Sequence, residues 1–246
     1  MKWKRLIIGL AGAGALASCG TAPQLTTPTT APAVSAPAAR AMAAPAPKAA
    51  VELTIQVELE PNDHAHRNYC AEGAIAVLLS TWSSALPSLD DIGVSAHVDE
   101  NRGTKGADAA RAINEYLGQI TGTTSSPYST TYVTSPASLK SLLETDLSGL
   151  GNLAAAGHGS PVLVRVRTAT LPGWNGYQAS HVVAVFGYDF TPGNPDGDTV
   201  TYAESAGSVA GYSGPQVQTI SLAALWAATQ TTTTFGPLHD PWTVVA

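Results

Sequence analysis

The chain has 246 residues with two cysteines, and its 18 acidic residues outnumber its 12 lysines and arginines, for a formal net charge of -6. All 18 acidic residues follow residue 50, where only seven basic residues lie, so this part carries a net charge near -11. Such an acidic surface repels phosphate backbones and no basic stripe compensates for it, which argues against nucleic-acid binding.

The N-terminus has the features of a bacterial export signal. Basic residues at positions 2, 4 and 5 precede an apolar run over residues 6–17, which is too short to cross a bilayer comfortably. The Leu-Ala-Ser-Cys segment at 16–19 resembles a lipobox, in which the cysteine is lipidated and becomes the mature N-terminus. We therefore predict a lipoprotein-type signal over residues 1–19 with lipidation at Cys19; an ordinary cleaved signal is the alternative.

Residues 20–50 are predicted to form a disordered tether. They are rich in Ala, Pro and Thr, and Arg40 and Lys48 are their only charges. Such a segment cannot bury enough apolar surface to offset the entropy lost on ordering. The folded part would then be one domain over residues 51–246. We expect a monomer that is exported and anchored to the cell-envelope membrane through the lipid on Cys19, or secreted.

The first half of the domain is predicted to be mainly helical. Apolar residues alternate in ELTIQVELE (52–60), which predicts a strand with one face in water. In HRNYCAEGAIAVLLSTW (66–82) they recur at helical spacing, with Asn68 as N-cap and Cys70 in the first turn. Three further helices are predicted: a short one after Ser88, one over 103–118 that ends at Gly118, and one over 135–147 capped by Ser135.

The second half changes to β-strand patterns. Turns rich in Gly and Pro separate four strand-like segments (161–168, 181–189, 198–205 and 241–246), with one late helix over 221–230. Helices followed by strands predict an α+β fold with a mainly antiparallel sheet.

The position of Cys70 in the first turn of a helix points to nucleophilic catalysis. Unpaired N–H groups and the positive end of the helix dipole stabilise a thiolate at such a position. Cys70 also falls beside the apolar stripe of its helix, not within it. The alternative is an inert buried thiol, the commonest role of a single cysteine.

A nucleophilic thiolate needs a basic partner from elsewhere in the chain. His181 is the best candidate of the six histidines, because it begins the most apolar strand. The turn-rich link TPGNPDGD between strands 181–189 and 198–205 predicts an antiparallel hairpin, in which Glu204 lies close to the level of His181. The residues therefore predict a Cys70–His181–Glu204 set; a core histidine and a solvated acid are the alternatives.

The Asp-His-Ala-His segment at 63–66 invites a metal interpretation, because two closely spaced histidines can ligate one ion. Without a third nearby ligand a polar loop is the simpler interpretation. We expect neither a metal site nor a cofactor.

Three segments in order resemble papain-like cysteine peptidases of the bacteriocin-processing (double-glycine) peptidase-like group. NYCAEGAIAVLL (68–79) resembles the cysteine-bearing helix of that group, ASHVVAVFGYD (179–189) its H-x-V-x-V-x-G-Y-D strand, and VTYAESAG (200–207) the strand that follows. The intervening segments also come in family-like order, so the resemblance spans about residues 60–210. It implies a papain-like fold, with cysteine-bearing helices packed on the sheet that carries the histidine and the acid.

Carried over by position, the resemblance implies that Cys70 is the nucleophile, His181 the general base and Glu204 the orienting acid. The chain departs from the family pattern in three places. Its residues 71–72 are Ala-Glu where the family has Gly-Pro, Glu204 replaces the usual Asp, and the oxyanion-hole glutamine six residues before the cysteine falls at His64. By the same carry-over, His64 and the Cys70 N–H would stabilise the oxyanion.

We therefore predict an exported cysteine hydrolase that cleaves peptides or cell-envelope amides. An acyltransferase would use identical residues. The contrasting hypothesis is a non-catalytic peptide- or envelope-binding lipoprotein on the same fold. The three departures from the family pattern are the features that discriminate between the two.

Overall fold

The computed structural model describes residues 49–151, 153, 157–208, 211–230 and 243–246. These residues belong to one compact unit, Ala44–Ala246; the other unit, Met1–Ala43, lies outside them. The predicted signal over 1–19, its Cys19 and the predicted tether up to residue 48 also lie outside the described residues. None of the described helices is both long enough and apolar enough to cross a bilayer.

The described strands form one antiparallel sheet with the order β2-β7-β3-β4-β5-β6, and β1 pairs with β4 beyond the end of β3. The strands are β1 (Ala50–Glu52), β2 (Thr130–Thr131), β3 (Val162–Arg167), β4 (Ser180–Asp189), β5 (Thr199–Ala203), β6 (Val217–Ser221) and β7 (Val244–Val245). The helices are α1 (Cys70–Ser80), α2 (Leu89–Ser95), α3 (Gly106–Thr121), α4 (Pro136–Leu147) and α5 (Leu222–Gln230). The predicted α+β class with a mainly antiparallel sheet is confirmed.

Strand β4 lies between two apolar layers, which explains its continuous apolar sequence. Ala184 and Phe186 pack with helices α1, α2 and α3 in one core cluster. Val183 and Val185 pack with α4 and α5 in the other. Successive side chains of a strand point to opposite faces, so alternate residues of β4 pack into the two layers.

The predicted strand over 52–60 was wrong beyond its first residue. Strand β1 ends at Glu52, and the chain then leaves the sheet. Leu53, Ile55 and Val57 pack against the α1–α3 core cluster, and the Gln56 N–H donates to Ser80 Oγ at the end of α1 (2.8 Å). Alternating polarity indicates burial on one side, and a segment lying against a helix meets that requirement without a strand partner.

Two predicted helix ends also need correction. Asn68 does not cap α1; its side-chain amide donates to the Glu100 carbonyl, and α1 begins at Cys70 after Tyr69 with no side-chain cap. Helix α3 continues past Gly118 to Thr121 and ends before Gly122, whose φ of 72° favours glycine. Strand β6 was not predicted from the sequence. The Ser135 cap and the short helix after Ser88 are confirmed, and the Ser88 side chain caps that helix as well.

A close helix-to-strand contact brings the start of α1 to the end of β5. A Cβ atom on Gly73 would lie 2.4 Å from the Ser205 Cβ, so only glycine fits there without movement. Gly73 lies three residues after Cys70, and Ser205 directly follows Glu204. This contact therefore positions the cysteine and the predicted acid relative to each other.

Replacing Gly73 by Ala should separate α1 from the end of β5. We expect the free energy of unfolding to fall by about 1–3 kcal/mol, because the added methyl group overpacks a closed contact. An alanine in a helix is otherwise favoured over glycine by about 1 kcal/mol. Urea unfolding of Gly73→Ala, Ser205→Gly and the double variant measures the coupling between the two sites. If the changes in the free energy of unfolding of the two single variants simply add up to that of the double variant, this account is contradicted.

Candidate active site

Three elements bring the predicted site residues to one place. Cys70 is the first residue of α1 and is half-buried, His181 is the second residue of β4, and Glu204 follows β5 directly. The antiparallel pairing of Ala184 with Ala203 carries Glu204 to the beginning of β4. His181 is 4% exposed and Glu204 is fully buried.

A short hydrogen bond joins the histidine and the acid. His181 Nε2 lies 2.5 Å from Glu204 Oε1. The same carboxylate accepts the Ala206 N–H on Oε1 and the Trp174 indole N–H on Oε2, each at 3.0 Å. The Trp174 ring also packs edge-on against the imidazole, with 5.1 Å between ring centroids. The orientation of the imidazole is therefore determined by a carboxylate that is itself held by two further donors.

The Cys70 side chain is among the groups that interact with the same imidazole and raise the pKa of His181. Burial opposes the charged ring, but the Glu204 carboxylate and the bond to Cys70 outweigh it and raise the pKa of His181 well above its ordinary value. The pKa of Glu204 moves in the opposite direction. Burial alone would raise it, but the charge of His181 and the hydrogen bond to it have the larger combined effect, so the pKa is lowered.

Cys70 and His181 both line a cavity of about 370 Å³. Trp174 and Tyr177, whose rings stack with 6.1 Å between centroids, form an aromatic part of its wall. Its other lining residues are polar, acidic or small, with one arginine: Glu60, Pro61, Asn62, Asp63, Arg67, Asn68, Ala179, Ser180 and Ala206. Cys70 thus borders a space large enough for part of a peptide.

The structure does not bring His64 to the cavity. Its side chain is exposed, and its imidazole contacts the Arg67 guanidinium. Nearby His66 is held by Asp63 (2.7 Å) and Asp90 (2.8 Å), and the bonds to Asp90 and then Asp63 raise its pKa. These contacts fit the polar-loop interpretation of residues 63–66.

Sequence reasoning missed Glu60. The alternation over 52–60 puts Glu60 on the water-facing side, yet Leu59 is exposed and Glu60 is 3% exposed. Ligand atoms of Glu60, His181 and Glu204 lie within 4.8 Å of one another, a group of donors that could also hold a metal ion. No periodic pattern could have predicted that Glu60 is buried, because the alternation of exposed and buried residues breaks between Leu59 and Glu60.

Glu72 is a second buried acid close to the cysteine. Thr104 Oγ1 donates to its Oε1 (2.5 Å), while its Oε2 has no hydrogen-bond partner among the described residues. Burial raises the pKa of Glu72 to about 7. A carboxyl protonated below that pH opposes a thiolate at Cys70 less than an ionised one would.

Searches of the chain against protein-family models and against curated proteins found no match. The case for a papain-like protein therefore depends on the residues described above and on their arrangement.

Replacing Glu72 by Gln should stabilise the protein more at pH 8 than at pH 5. Because folding raises the pKa of Glu72 from 4.5 to about 7, the folded chain binds more protons than the unfolded one between these values, and stability falls as pH rises through that window. The glutamine cannot ionise, so the free energy of unfolding of Glu72→Gln relative to wild type should gain about 3 kcal/mol from this effect by pH 8. Urea unfolding at both pH values measures it, with exposed Glu58→Gln as the control. An equal difference at both pH values would contradict the prediction.

Proposed function

We propose that the domain is a papain-like cysteine hydrolase that cleaves peptide or related amide bonds at the cell envelope. The observation that carries the proposal is the buried His181–Glu204 hydrogen bond, with Cys70 and His181 lining the same cavity. A thiol, an imidazole and a carboxylate in this order are the groups that cysteine hydrolases need.

In the proposed reaction, the Cys70 thiolate attacks the carbonyl carbon of the substrate and forms a C–S bond, while the carbonyl electron pair moves to oxygen. The His181 imidazolium then donates its proton to the amine, the C–N bond breaks, and a thioester remains. A water molecule next gives a proton to His181 and attacks the thioester, and the C–S bond breaks to restore the thiolate. Glu204 holds the ring and stabilises its charge throughout.

The oxyanion needs hydrogen-bond donors beside the sulfur. The backbone N–H of Cys70 is one candidate, because the first N–H groups of a helix have no partner within it. The resemblance assigns the second donor to His64, but His64 is exposed and is not among the residues that line the cavity, which argues against that assignment. We therefore propose the Cys70 N–H alone.

The same set supports acyl transfer, because an amine could replace water in the second step. The proposed lipid anchor at Cys19 would keep either activity at the membrane. The aromatic wall formed by Trp174 and Tyr177 suits an apolar or planar group of the substrate.

One observation favours a second candidate, a metal-binding protein without thiol catalysis. Glu60, His181 and Glu204 supply two carboxylates and an imidazole within 4.8 Å of one another, and such donors suit a divalent transition metal. In that case the Cys70 thiol would have no chemical role.

Alkylation by iodoacetamide should reveal the role of His181. At pH 6 we expect Cys70 to be alkylated at least about tenfold faster than in His181→Ala, because the imidazolium stabilises the reacting thiolate. Glu204→Gln should give an intermediate rate, since the ring keeps a hydrogen bond but loses the charge opposite it. Mass spectrometry of the Cys70 peptide measures the rates. His97→Asn, at an exposed histidine with φ of 49°, is the control, and equal rates in wild type and His181→Ala would refute the proposal.

Removal of metal ions separates the two candidates. Dialysis against EDTA should leave the alkylation rate of Cys70 and the thermal midpoint of unfolding unchanged, because the proposed mechanism uses no ion. A midpoint that falls after EDTA and returns on addition of Zn²⁺ would instead support the metal-binding candidate.

A further inference from the structure

Arg67 is the only lysine or arginine among the described residues that line the cavity. It lies three residues before Cys70, in the turn that leads into α1. Only seven basic residues follow residue 50, against 18 acidic ones. A permanent positive charge at the cavity is thus an exception to the acidic character of the domain.

The turn that carries Arg67 is held by side-chain bonds to two neighbouring segments. The His66 ring bonds to Asp63 (2.7 Å) within the turn and to Asp90 of α2 (2.8 Å). The Asn68 amide donates to a backbone carbonyl of the loop that joins α2 and α3. Arg67 therefore extends from a backbone position that the fold defines.

The partners of the Arg67 guanidinium carry no negative charge. Its Nη2 group donates to Asn101 Oδ1 (2.6 Å), and its Nη1 group contacts the His64 ring. Within the described part of the chain, no ion pair joins Arg67 to an acidic residue. A guanidinium has more N–H donors than these two contacts use, so donors and charge remain for a ligand.

Two acidic residues also line the cavity, but neither forms an ion pair with Arg67. Both carboxylate oxygens of Asp63 bond to His66 Nδ1 (2.7 and 2.8 Å). Glu60 is 3% exposed and accepts the Ser205 hydroxyl (2.7 Å). Arg67 is exposed, so its charge is accessible to a group that enters the cavity.

We propose that Arg67 binds a carboxylate of the substrate and so selects peptides that carry one beside the scissile bond, either on an acidic side chain or at a free C-terminus. The inference rests on the proposed function, because it names the substrate class of that site. A guanidinium matches a carboxylate through two parallel N–H···O bonds, which an amide or a hydroxyl cannot accept in the same way. Arg67 takes no part in the bond-breaking steps.

Two alkylating reagents that differ in one carboxylate test the charge of Arg67. The rates at which iodoacetate and iodoacetamide alkylate Cys70 are measured in the full chain at pH 6, and their ratio reports how the surroundings of the sulfur treat a carboxylate. In Arg67→Gln we expect this ratio to fall about threefold, because a nearby positive charge is lost. The difference from wild type should shrink in about 0.5 M KCl, since salt screens an exposed charge.

Two matched variants separate charge from other effects. Arg67→Lys keeps the positive charge and should retain most of the wild-type ratio. Arg102→Gln removes an exposed arginine that does not line the cavity, and it should leave the ratio unchanged.

Protection of Cys70 from iodoacetamide identifies the source of the carboxylate and needs no variant in its first step. Three peptides are compared: acetyl-Ala-Ala-Ala with a free C-terminus, acetyl-Ala-Glu-Ala-amide with an acidic side chain, and acetyl-Ala-Gln-Ala-amide with neither. In wild type we expect at least one of the charged peptides to slow alkylation at a concentration at which the uncharged peptide does not. Arg67→Gln should abolish that difference.

Two results would overturn the inference. One is the same ratio of iodoacetate to iodoacetamide rates in Arg67→Gln and in wild type, and the other is equal protection of the wild-type protein by all three peptides. Either result leaves the proposed function standing if His181→Ala still slows alkylation by iodoacetamide. If wild type and His181→Ala are alkylated equally by iodoacetamide, the proposed function fails, whatever the ratio.

Discussion

The buried hydrogen bond between His181 and Glu204 is the interaction on which the candidate site depends. A charged pair removed from water is unfavourable unless its remaining hydrogen-bonding capacity is used. The Glu204 carboxylate uses this capacity through the Ala206 N–H and the Trp174 indole. These bonds connect β4, the end of β5 and the segment before β4 around one carboxylate. The fold itself therefore fixes the orientation of the imidazole.

The second constraint is the closeness of α1 to the end of β5. Side chains over residues 71–79 of α1 are buried on all sides, so the helix cannot shift without disturbing the core. Gly73 allows the helix backbone to approach Ser205, and Cys70 at the first position of the helix then reaches the imidazole. The thiol remains half-buried and faces the cavity. A helix that is buried along most of its length therefore also places its first residue at the cavity wall.

Acidic residues near the cysteine are unusually numerous, and their environments differ. The His181 charge and hydrogen bond lower the pKa of Glu204, whereas burial raises the pKa of Glu60 and raises that of Glu72 to about 7. A site with three buried carboxyls should respond to pH through the coupled titration of all of them, not through one group alone.

The sequence by itself determined the α+β class, the cap at Ser135, the β4–β5 hairpin and, through that hairpin, the closeness of His181 and Glu204. These features depend on local periodicity, on capping chemistry and on one short turn, all of which a linear pattern contains. Only the tertiary structure decided that residues 53–60 leave the sheet, that His64 lies outside the cavity and that Glu60 lies beside His181. Those positions depend on which surfaces meet when α1 packs against the sheet. The reason is physical: alternation and spacing report that a side chain is buried, but they carry no information about the distant residue that buries it.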